Sequence, residues 1–340
     1  MNNIILIPDN HFFRDHHTTV RIDFLNAIKN NNTKYNINIL FSDHDISDAY
    51  QIIHSLNAKL IIFMDINSFR ENSKRFEFVF NMNIPVYILI EDTYYITTTS
   101  NCPYVNKCNG IFFWYRHKLL QKSYKDFFPN KVITNINSRY INTNIYKNYN
   151  LEKKYDILLY GCRNFKYNYK TQNLEIVQNY IKKYEIANNN NDTLFDFYIL
   201  RTKLENILMK YPNKYRLKIC PIQGDYIFNE ELSMLINQSY MTIVCSTIYD
   251  VMVFKHLEIP ASKSVILGSY PTDYKDLFEG NIVEVNEFMS EEEIITIIDN
   301  ALSNKDKLNE MSNRLYAKIH NEHNLQKAQE DFNNLISSLI

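Results

Sequence analysis

Ile37-Asn38-Ile39-Leu40-Phe41 and Leu60-Ile61-Ile62-Phe63-Met64 are two short apolar runs. Between them Ala49, Ile52, Ile53 and Leu56 recur at i, i+3, i+4 and i+7. The runs have strand length, and the segment between them has the period of a helix with one apolar face. Ser47 stands where its N-cap belongs. Leu60 to Met64 does not alternate apolar with polar residues, so that strand is buried on both faces, as in a parallel sheet covered by helices.

The same alternation extends in both directions. Upstream, 4–7 is a β-branched strand, and Ile22, Leu25 and Ile28 mark a helix over 21–29. Downstream, Phe76, Val79 and Phe80 give a helical stripe, and Pro85 opens a strand over 86–90. A strand over 110–114, a helix over 119–127 and a short strand over 131–134 follow. Ligands of such sheets bind at the carboxyl ends of strands, near a topological switch point. That directs attention to the loops after the first and fourth strands, 9–18 and 91–99.

The pattern stops at Asn135-Ile136-Asn137-Ser138 and Asn142-Thr143-Asn144, which are polar turn formers. It restarts with a strand over 155–160 that ends at Gly161. Helices are expected over 173–183, around Leu204, Ile207 and Leu208, around Leu232, Leu235 and Ile236, and over 253–257. Strands are expected over 216–220, 241–245, 264–267 and 282–285. Asn188-Asn189-Asn190-Asn191 is low-complexity loop. Ser290 and Glu293 form a capping box ahead of Ile294, Ile297, Ile298 and Ala301. Two helices, over 305–319 and 325–339, close the chain. This predicts an α/β protein with two Rossmann-like domains facing a central cleft. The first covers 1–140, a linker 141–154, the second 155–322, and a closing helix 323–340.

Composition narrows the function. The chain has 340 residues, and 37 Lys+Arg against 38 Asp+Glu give a net charge of −1. No basic field is available to hold nucleic acid. Hydrophobic residues make up 45%, enough for a sizeable core and too many for a disordered chain. The five cysteines, Cys102, Cys108, Cys162, Cys220 and Cys245, are scattered and odd in number. They suggest a reducing, cytoplasmic setting (the host's cytoplasm for a viral source) rather than a disulfide scaffold. Cys102 and Cys108 lack the second pair of a zinc site. Apolar runs are strand-sized, so no transmembrane segment is expected. Met1 leads directly into a strand, leaving no room for a signal peptide. Only 5 Gly stand beside 26 Tyr, with Asn, Ile and Lys abundant, the usage of an AT-rich genome. In such a chain glycine motifs are eroded.

Three segments resemble the C-terminal, donor-binding domain of GT-B glycosyltransferases, in particular the retaining "glycosyl transferases group 1" class. Ile141-Asn142-Thr143-Asn144-Ile145-Tyr146-Lys147 is similar to that family's linker. Lys154-Tyr155-Asp156-Ile157-Leu158-Leu159-Tyr160-Gly161 is similar to the first strand of its second domain. Tyr249-Asp250-Val251-Met252-Val253-Phe254-Lys255-His256-Leu257-Glu258-Ile259-Pro260-Ala261 resembles its Glu-x7-Glu region. Within it, the run from Lys255 to Ser262 looks like the Lys/Arg-x-x-Glu-x-x-Ala form of a spore-maturation-type branch. The resemblance covers roughly 140–335; the first half matches in architecture only. Asp250 replaces the first Glu, Val251 and Val253 replace glycines, and Lys263 stands where Gly is common. The glycine-rich loop after the first strand is absent.

The resemblance implies transfer of a sugar from a nucleotide-sugar donor to a glycan, protein or small-molecule acceptor, with retention of configuration, no metal and no other cofactor. A leaving nucleoside diphosphate then needs a cation and backbone N–H groups. Lys255 is the candidate, with Arg163, just past Gly161, as the second. Glu258 would accept from the ribose hydroxyls, since a carboxylate offers several acceptor sites. Asp250 would meet sugar hydroxyls, and Ser246, Thr247 and Tyr249 lie at a strand end near the base or phosphate. On the acceptor side, Asp9, His11, His16 and His17 share one loop, where a His can serve as base or sugar ligand. Asp92, after the fourth strand, is a candidate contact to acceptor or donor sugar.

Other signals have plainer readings. Asp43-His44-Asp45 is an Asp-x-Asp, but turn chemistry before a helix explains it. His320 and His323 lack a third ligand, Trp114 is a core aromatic, and the Tyr and Phe residues have no basic interleaving for a stacking platform. Two further readings stay open: a catalytically inactive GT-B-like nucleotide- or glycan-binding or assembly subunit, and another two-domain enzyme such as a nucleotide-sugar epimerase.

Overall fold

Strands β1 (Asn2–Pro8), β2 (Tyr35–Ile39), β3 (Leu60–Met64), β4 (Val86–Ile90), β5 (Gly110–Phe113) and β6 (Val132–Asn135) pair in parallel in the order β2-β1-β3-β4-β5-β6. The computed structural model describes every residue except 9–18, 31, 42–43, 91–95, 115, 117, 137–138, 165, 168–173, 189–194 and 222–226. β3 and β4 are buried along their whole length, as their unbroken apolar runs require. The connections carry α1 (Thr19–Lys29), α2 (Ile46–Ser55), α3 (Ile66–Asn72), α4 (Ile96–Ser100) and α5 (Lys118–Phe127).

Three local expectations change. The cap of α2 is Asp45, not Ser47: its carboxylate accepts from the Ser47 N–H at 2.8 Å, while its own backbone is extended. Asp45 of the Asp-x-Asp is therefore capping a helix; Asp43 lies outside the described residues. The Phe76, Val79, Phe80 stripe forms a single 3-10 segment, Glu77–Asn81, stopped before Pro85. The strand order reverses between β1 and β3, so the loop after β3, not that after β4, shares the switch point with the loop after β1.

The second sheet repeats the design. β7 (Tyr155–Leu159), β10 (Leu217–Ile219), β11 (Ser239–Val244), β12 (Val265–Gly268) and β13 (Val283–Glu284) pair in parallel in the order β10-β7-β11-β12-β13, and β8 (Lys166–Tyr167) with β9 (Phe195–Asp196) is a small separate antiparallel pair. Helices α6 (Glu175–Asn188), α7 (Ile199–Met209), α8 (Asn229–Asn237), α9 (Lys255–Ala261) and α10 (Lys275–Phe278) lie between the strands, and α11 (Glu291–Ser303) and α12 (Lys305–Glu322) follow β13. Alternate strand residues enter different cores. Ile157, Leu159, Ile243 and Leu267 pack with α7 and α11, while Leu158, Val244 and Ile266 pack with α8, α9 and α12. The chain passes from β7 out to β10 and returns to β11, so the reversal falls between β7 and β11.

The chain divides into two compact units, Met1–Tyr140 with Leu325–Ile340, and Ile141–Asn324. The last helix, α13 (Leu325–Ser337), thus belongs with the first sheet. Its buried face is Ala328, Phe332 and Ile336, at i, i+4 and i+8. Phe332 meets Phe24 edge to face, and the Gln329 amide donates to the carbonyls of Ala27 and Asn30 at the end of α1.

The scarcity of glycine leaves a visible mark. Eight described non-glycine residues have positive φ: Asn57, Asp65, Tyr104, Asn150, Asn164, Asn229, Asp250 and Lys263. Six of them are Asn or Asp, the side chains that tolerate this region best. Asparagine performs turns that glycine makes elsewhere.

Candidate functional site

The carboxyl ends of β7 and β11 flank the reversal of the second sheet, and the side chains there are densely connected. β7 runs out through Tyr160 into Gly161, which takes φ +85°. A Cβ on Gly161 would lie 2.5 Å from Lys255 Cε and 2.8 Å from its Nζ. Glycine takes the turn without strain and leaves the lysine chain where it lies. Lys255 opens α9 and places its ammonium over the Tyr160 ring, 4.2 Å from the centroid. Burial pulls this ammonium below its ordinary pKa; Glu258 opposes the shift and Arg201 adds to it.

Glu258, one turn further along α9, is buried, and its Oε2 accepts from the Tyr160 hydroxyl at 2.7 Å. Burial and this carboxylate raise the Tyr160 phenol well above its usual range, so it remains a donor. Tyr160 therefore joins the two candidates: its ring faces the lysine and its hydroxyl orients the glutamate.

Arg163 is placed differently from the expectation of an open second cation. It is buried and ion-paired to Glu205 at 2.7 Å, an approach that lacks hydrogen-bond alignment at Nε. Its two terminal nitrogens donate to the carbonyls of Gly161 and Cys220, each at 3.0 Å. Its guanidinium thus ties the turn after β7 to the turn after β10.

Arg201, in the first turn of α7, was not singled out by sequence. It is 1% exposed. It donates to the Cys162 carbonyl at 2.7 Å and stacks over the Tyr198 ring at 3.9 Å. A signal was present: the helix face Leu200, Leu204, Ile207, Leu208 has a cation written into its buried stripe.

The loop from β11 to α9 supplies the remaining candidates. Asp250 has φ +53°, and its carboxylate accepts the Thr272 N–H at 3.1 and 3.3 Å. Burial pushes its pKa up to about 6; Thr272 resists this, and Asp273 and Glu287 add to it. Ser246 is partly exposed, and its N–H donates to Ser269 Oγ at 3.4 Å. Thr247 and Tyr249 are buried; the Tyr249 ring lies 5.9 Å from Phe197, so Tyr249 is a core residue of the loop. His256 bolts the loop in place: its Nδ1 accepts from the Val253 N–H and its Nε2 donates to the Ser269 carbonyl. Lys263 holds the left-handed turn before β12 with φ +62°, the conformation that glycine takes most readily.

Lys255, Glu258, Gly161, Ser246 and Asp250 thus lie on the loops after β7 and β11 and on α9, with Tyr160 and Arg201 among them. Asp9, His11, His16, His17 and Asp92 lie outside the described residues. Among the described residues, no three His, Cys, Asp or Glu side chains are grouped to hold a metal. His320 Nε2 bonds the Ala261 carbonyl, and the buried His323 accepts the Ile141 N–H on its own carbonyl. Trp114 is buried against Phe24. The five cysteines, Cys102 and Cys108 among them, form no disulfide, and no described helix is long and apolar enough to cross a membrane.

Residues 200–333 match a family model described as "Glycosyl transferase-like". No curated protein matches the chain. Among solved structures, HepE from Anabaena in complex with UDP and glucose is similar, with TM-score 0.61 and 9% identity over 99% of this chain and 100% of that one. Sucrose-phosphate synthase from Thermosynechococcus elongatus gives 0.57 and 9% over 100% and 99%. A glycosyltransferase from Rickettsia africae gives 0.55 and 11% over 99% and 98%. At these identities the likeness shows the fold, which is GT-B.

Proposed function

We propose that this GT-B, group 1-like glycosyltransferase moves a hexosyl group from a nucleoside diphosphate sugar to an acceptor hydroxyl, with retention of configuration and without a metal. The observation that carries the reading is the arrangement at the β7–β11 reversal: a desolvated ammonium, Lys255, held by Tyr160 against the bare Gly161 turn, with Glu258 oriented by the same tyrosine. In the reaction the bond from the anomeric carbon to the diphosphate oxygen breaks, and the oxygen keeps the electron pair. The bond to the acceptor oxygen forms, and the acceptor proton leaves with the diphosphate. Lys255 stabilises the charge that grows on the departing oxygen, and a cation in a water-poor site is worth more there than in water. Glu258 accepts ribose hydroxyls through the lone pairs that Tyr160 leaves available. Asp250 meets sugar hydroxyls, with its carboxylate fixed by Thr272.

The matching structure solved with UDP and glucose supports a uridine donor. Acceptor recognition is assigned to the first unit, and cysteines without disulfides suit a cytoplasmic setting. One observation favours a second reading, binding without turnover: the Asp250 carboxylate already serves the Thr272 N–H. Nucleoside diphosphate release from UDP-, GDP- and dTDP-hexoses, with and without EDTA, tests the proposal. Release that survives EDTA and vanishes in Lys255→Ala supports it, and NMR of the product's anomeric proton decides retention. Tight donor binding with no release from any donor would select the second reading.

A further inference from the structure

α5 presents three faces, and one of them is buried. Leu120 and Tyr124, with Phe128 just after the helix, recur every four residues and form that buried face. One position earlier, Leu119, Ser123 and Phe127 recur at the same spacing, yet Leu119 is 41% and Phe127 52% exposed. Val132, at the start of the edge strand β6, extends the exposed apolar residues past the end of the helix. Ten large apolar side chains stand exposed among the described residues, so three of them share this one segment. The remaining face of α5 is basic. Lys118, Lys122 and Lys125 follow at i, i+4 and i+7, and all three are exposed. With Arg116 and Lys131 they make five cations against one acid, Asp126, in a chain whose net charge is −1. Lys122 and Lys125 form no ion pair among the described residues. Lys131 is fixed beside Val132 by the carbonyls of Asn106 and Cys108.

An apolar stripe beside a row of cations is the composition of a helix that lies in a membrane interface. The apolar side chains enter the boundary between headgroups and acyl chains, and the lysine stems carry their charges back to the lipid phosphates. We propose that α5 docks on an anionic lipid surface, with Leu119 and Phe127 inserted and Lys118, Lys122 and Lys125 on the phosphates. The charge decides against the other occupants. A second copy of this face would bring like charges together. A nucleic acid would engage the cations and leave Leu119 and Phe127 in water. The exposed apolar group at Phe41, Ile46 and Tyr50 lacks the basic half of the pattern, since Asp45 and Asp48 stand in the same segment. No described helix is long and apolar enough to cross a membrane, so attachment through α5 is peripheral and sensitive to salt. This face belongs to the first unit, and the proposal does not depend on the transferase reading.

The test is co-sedimentation of the full chain with two kinds of vesicle, phosphatidylcholine alone and an equal mixture of phosphatidylcholine and phosphatidylglycerol, at low and high salt. Binding is expected to the mixed vesicles only, and it should fall as salt is raised. Lys122→Glu with Lys125→Glu should weaken it at least about tenfold, since each cation near an anionic surface contributes roughly fivefold. Leu119→Ser with Phe127→Ser should weaken it comparably at unchanged charge. Ile46→Ser with Tyr50→Ser, on the other exposed group, should bind as wild type does. All these side chains are exposed, so the variants should unfold within about a degree or two of wild type. Phe127→Trp reports insertion directly: its emission should move to the blue on mixed vesicles, while the buried Trp114 gives a constant background. A chain that ignores mixed vesicles, or binds phosphatidylcholine equally well, overturns the proposal. So does wild-type binding in either α5 pair, an equal loss in the Ile46 and Tyr50 pair, or a Phe127→Trp emission that does not move. Binding to a duplex oligonucleotide or to polyglutamate in place of vesicles would give the face to another class of partner and overturn it as well.

Discussion

Arg163 and Arg201 lie on two sides of the same turn, both buried, and they are in opposite electrostatic states. Arg163 has a carboxylate at 2.7 Å and two carbonyls at 3.0 Å, so its charge is answered by the protein. Arg201 has one carbonyl and an aromatic face, with two nitrogens left over. The first has the contacts of a structural arginine; the second is a buried guanidinium that the described residues leave half served. Sequence singled out Arg163, two residues past Gly161, and made no reading of Arg201. Satisfaction of hydrogen bonds, not proximity to a motif, separates the two roles.

The largest effect that would sharpen this contrast is on stability. Arg163→Met removes one partner of a buried pair and leaves Glu205 and two carbonyls unserved. A loss of about 3–5 kcal/mol is expected. At about 2–4 °C per kcal/mol, thermal unfolding should fall by roughly 6–20 °C. A change of only a degree or two would break the contrast, since Arg163 would then be free for a ligand.

Lys255→Ala comes next. Removing a cation aimed at developing charge should lower turnover about 100-fold or more, roughly 2.7 kcal/mol, with little change in unfolding temperature. An early melt with unimpaired turnover would make Lys255 structural.

Gly161→Ala probes the ground that the cations share. The added methyl meets the Lys255 side chain and forces alanine to φ +85°. A cost of about 1–2 kcal/mol in stability is expected, together with weaker diphosphate binding. Unchanged binding would separate the turn from the site.

The smallest effect concerns Asp250. Its folded pKa of about 6 lies above the ordinary 3.8, so the folded state holds the proton more tightly. Its contribution to stability is therefore complete below about pH 4 and is lost as the pH rises from there through about 6. Asp250→Asn keeps an acceptor for Thr272 and suits a positive φ. It should be more stable than wild type at pH 7 by about 1 kcal/mol and show no gain at pH 4. Equal stability at both pH values would contradict the burial of this carboxylate.

Periodicity made most of the fold legible. Val86 to Ile90 is apolar without interruption, and a strand buried on both faces has little other way to be written. Strand order was not legible, because neighbour choice rests on pairings between distant residues, such as Ile4 with Leu60, that no local pattern records. Lys255 and Glu258 could be located because the run from Tyr249 to Ala261 resembles a family motif, and α9 then sets them one turn apart. Tyr160 and Arg201 were missed for a physical reason. A tyrosine that ends a strand looks like core, and an arginine in an apolar stripe looks like noise until its partners can be counted. The glycine deficit is plain in the sequence, but its remedy is not. Lys263 and Asp250 keep left-handed turns without glycine, so the loss of the letter did not mean the loss of the turn.

The most direct test of the account is thermal unfolding of the full chain against UDP-, GDP-, dTDP- and CMP-sugars, each with Mn²⁺ and with EDTA. A ligand at about 100 times its Kd adds roughly 2.7 kcal/mol, which raises the unfolding temperature by several degrees. The account predicts that shift for one nucleoside diphosphate sugar, unchanged by EDTA and lost in Lys255→Ala. No shift with any donor, in protein that unfolds cooperatively, would contradict a donor site at the ends of β7 and β11.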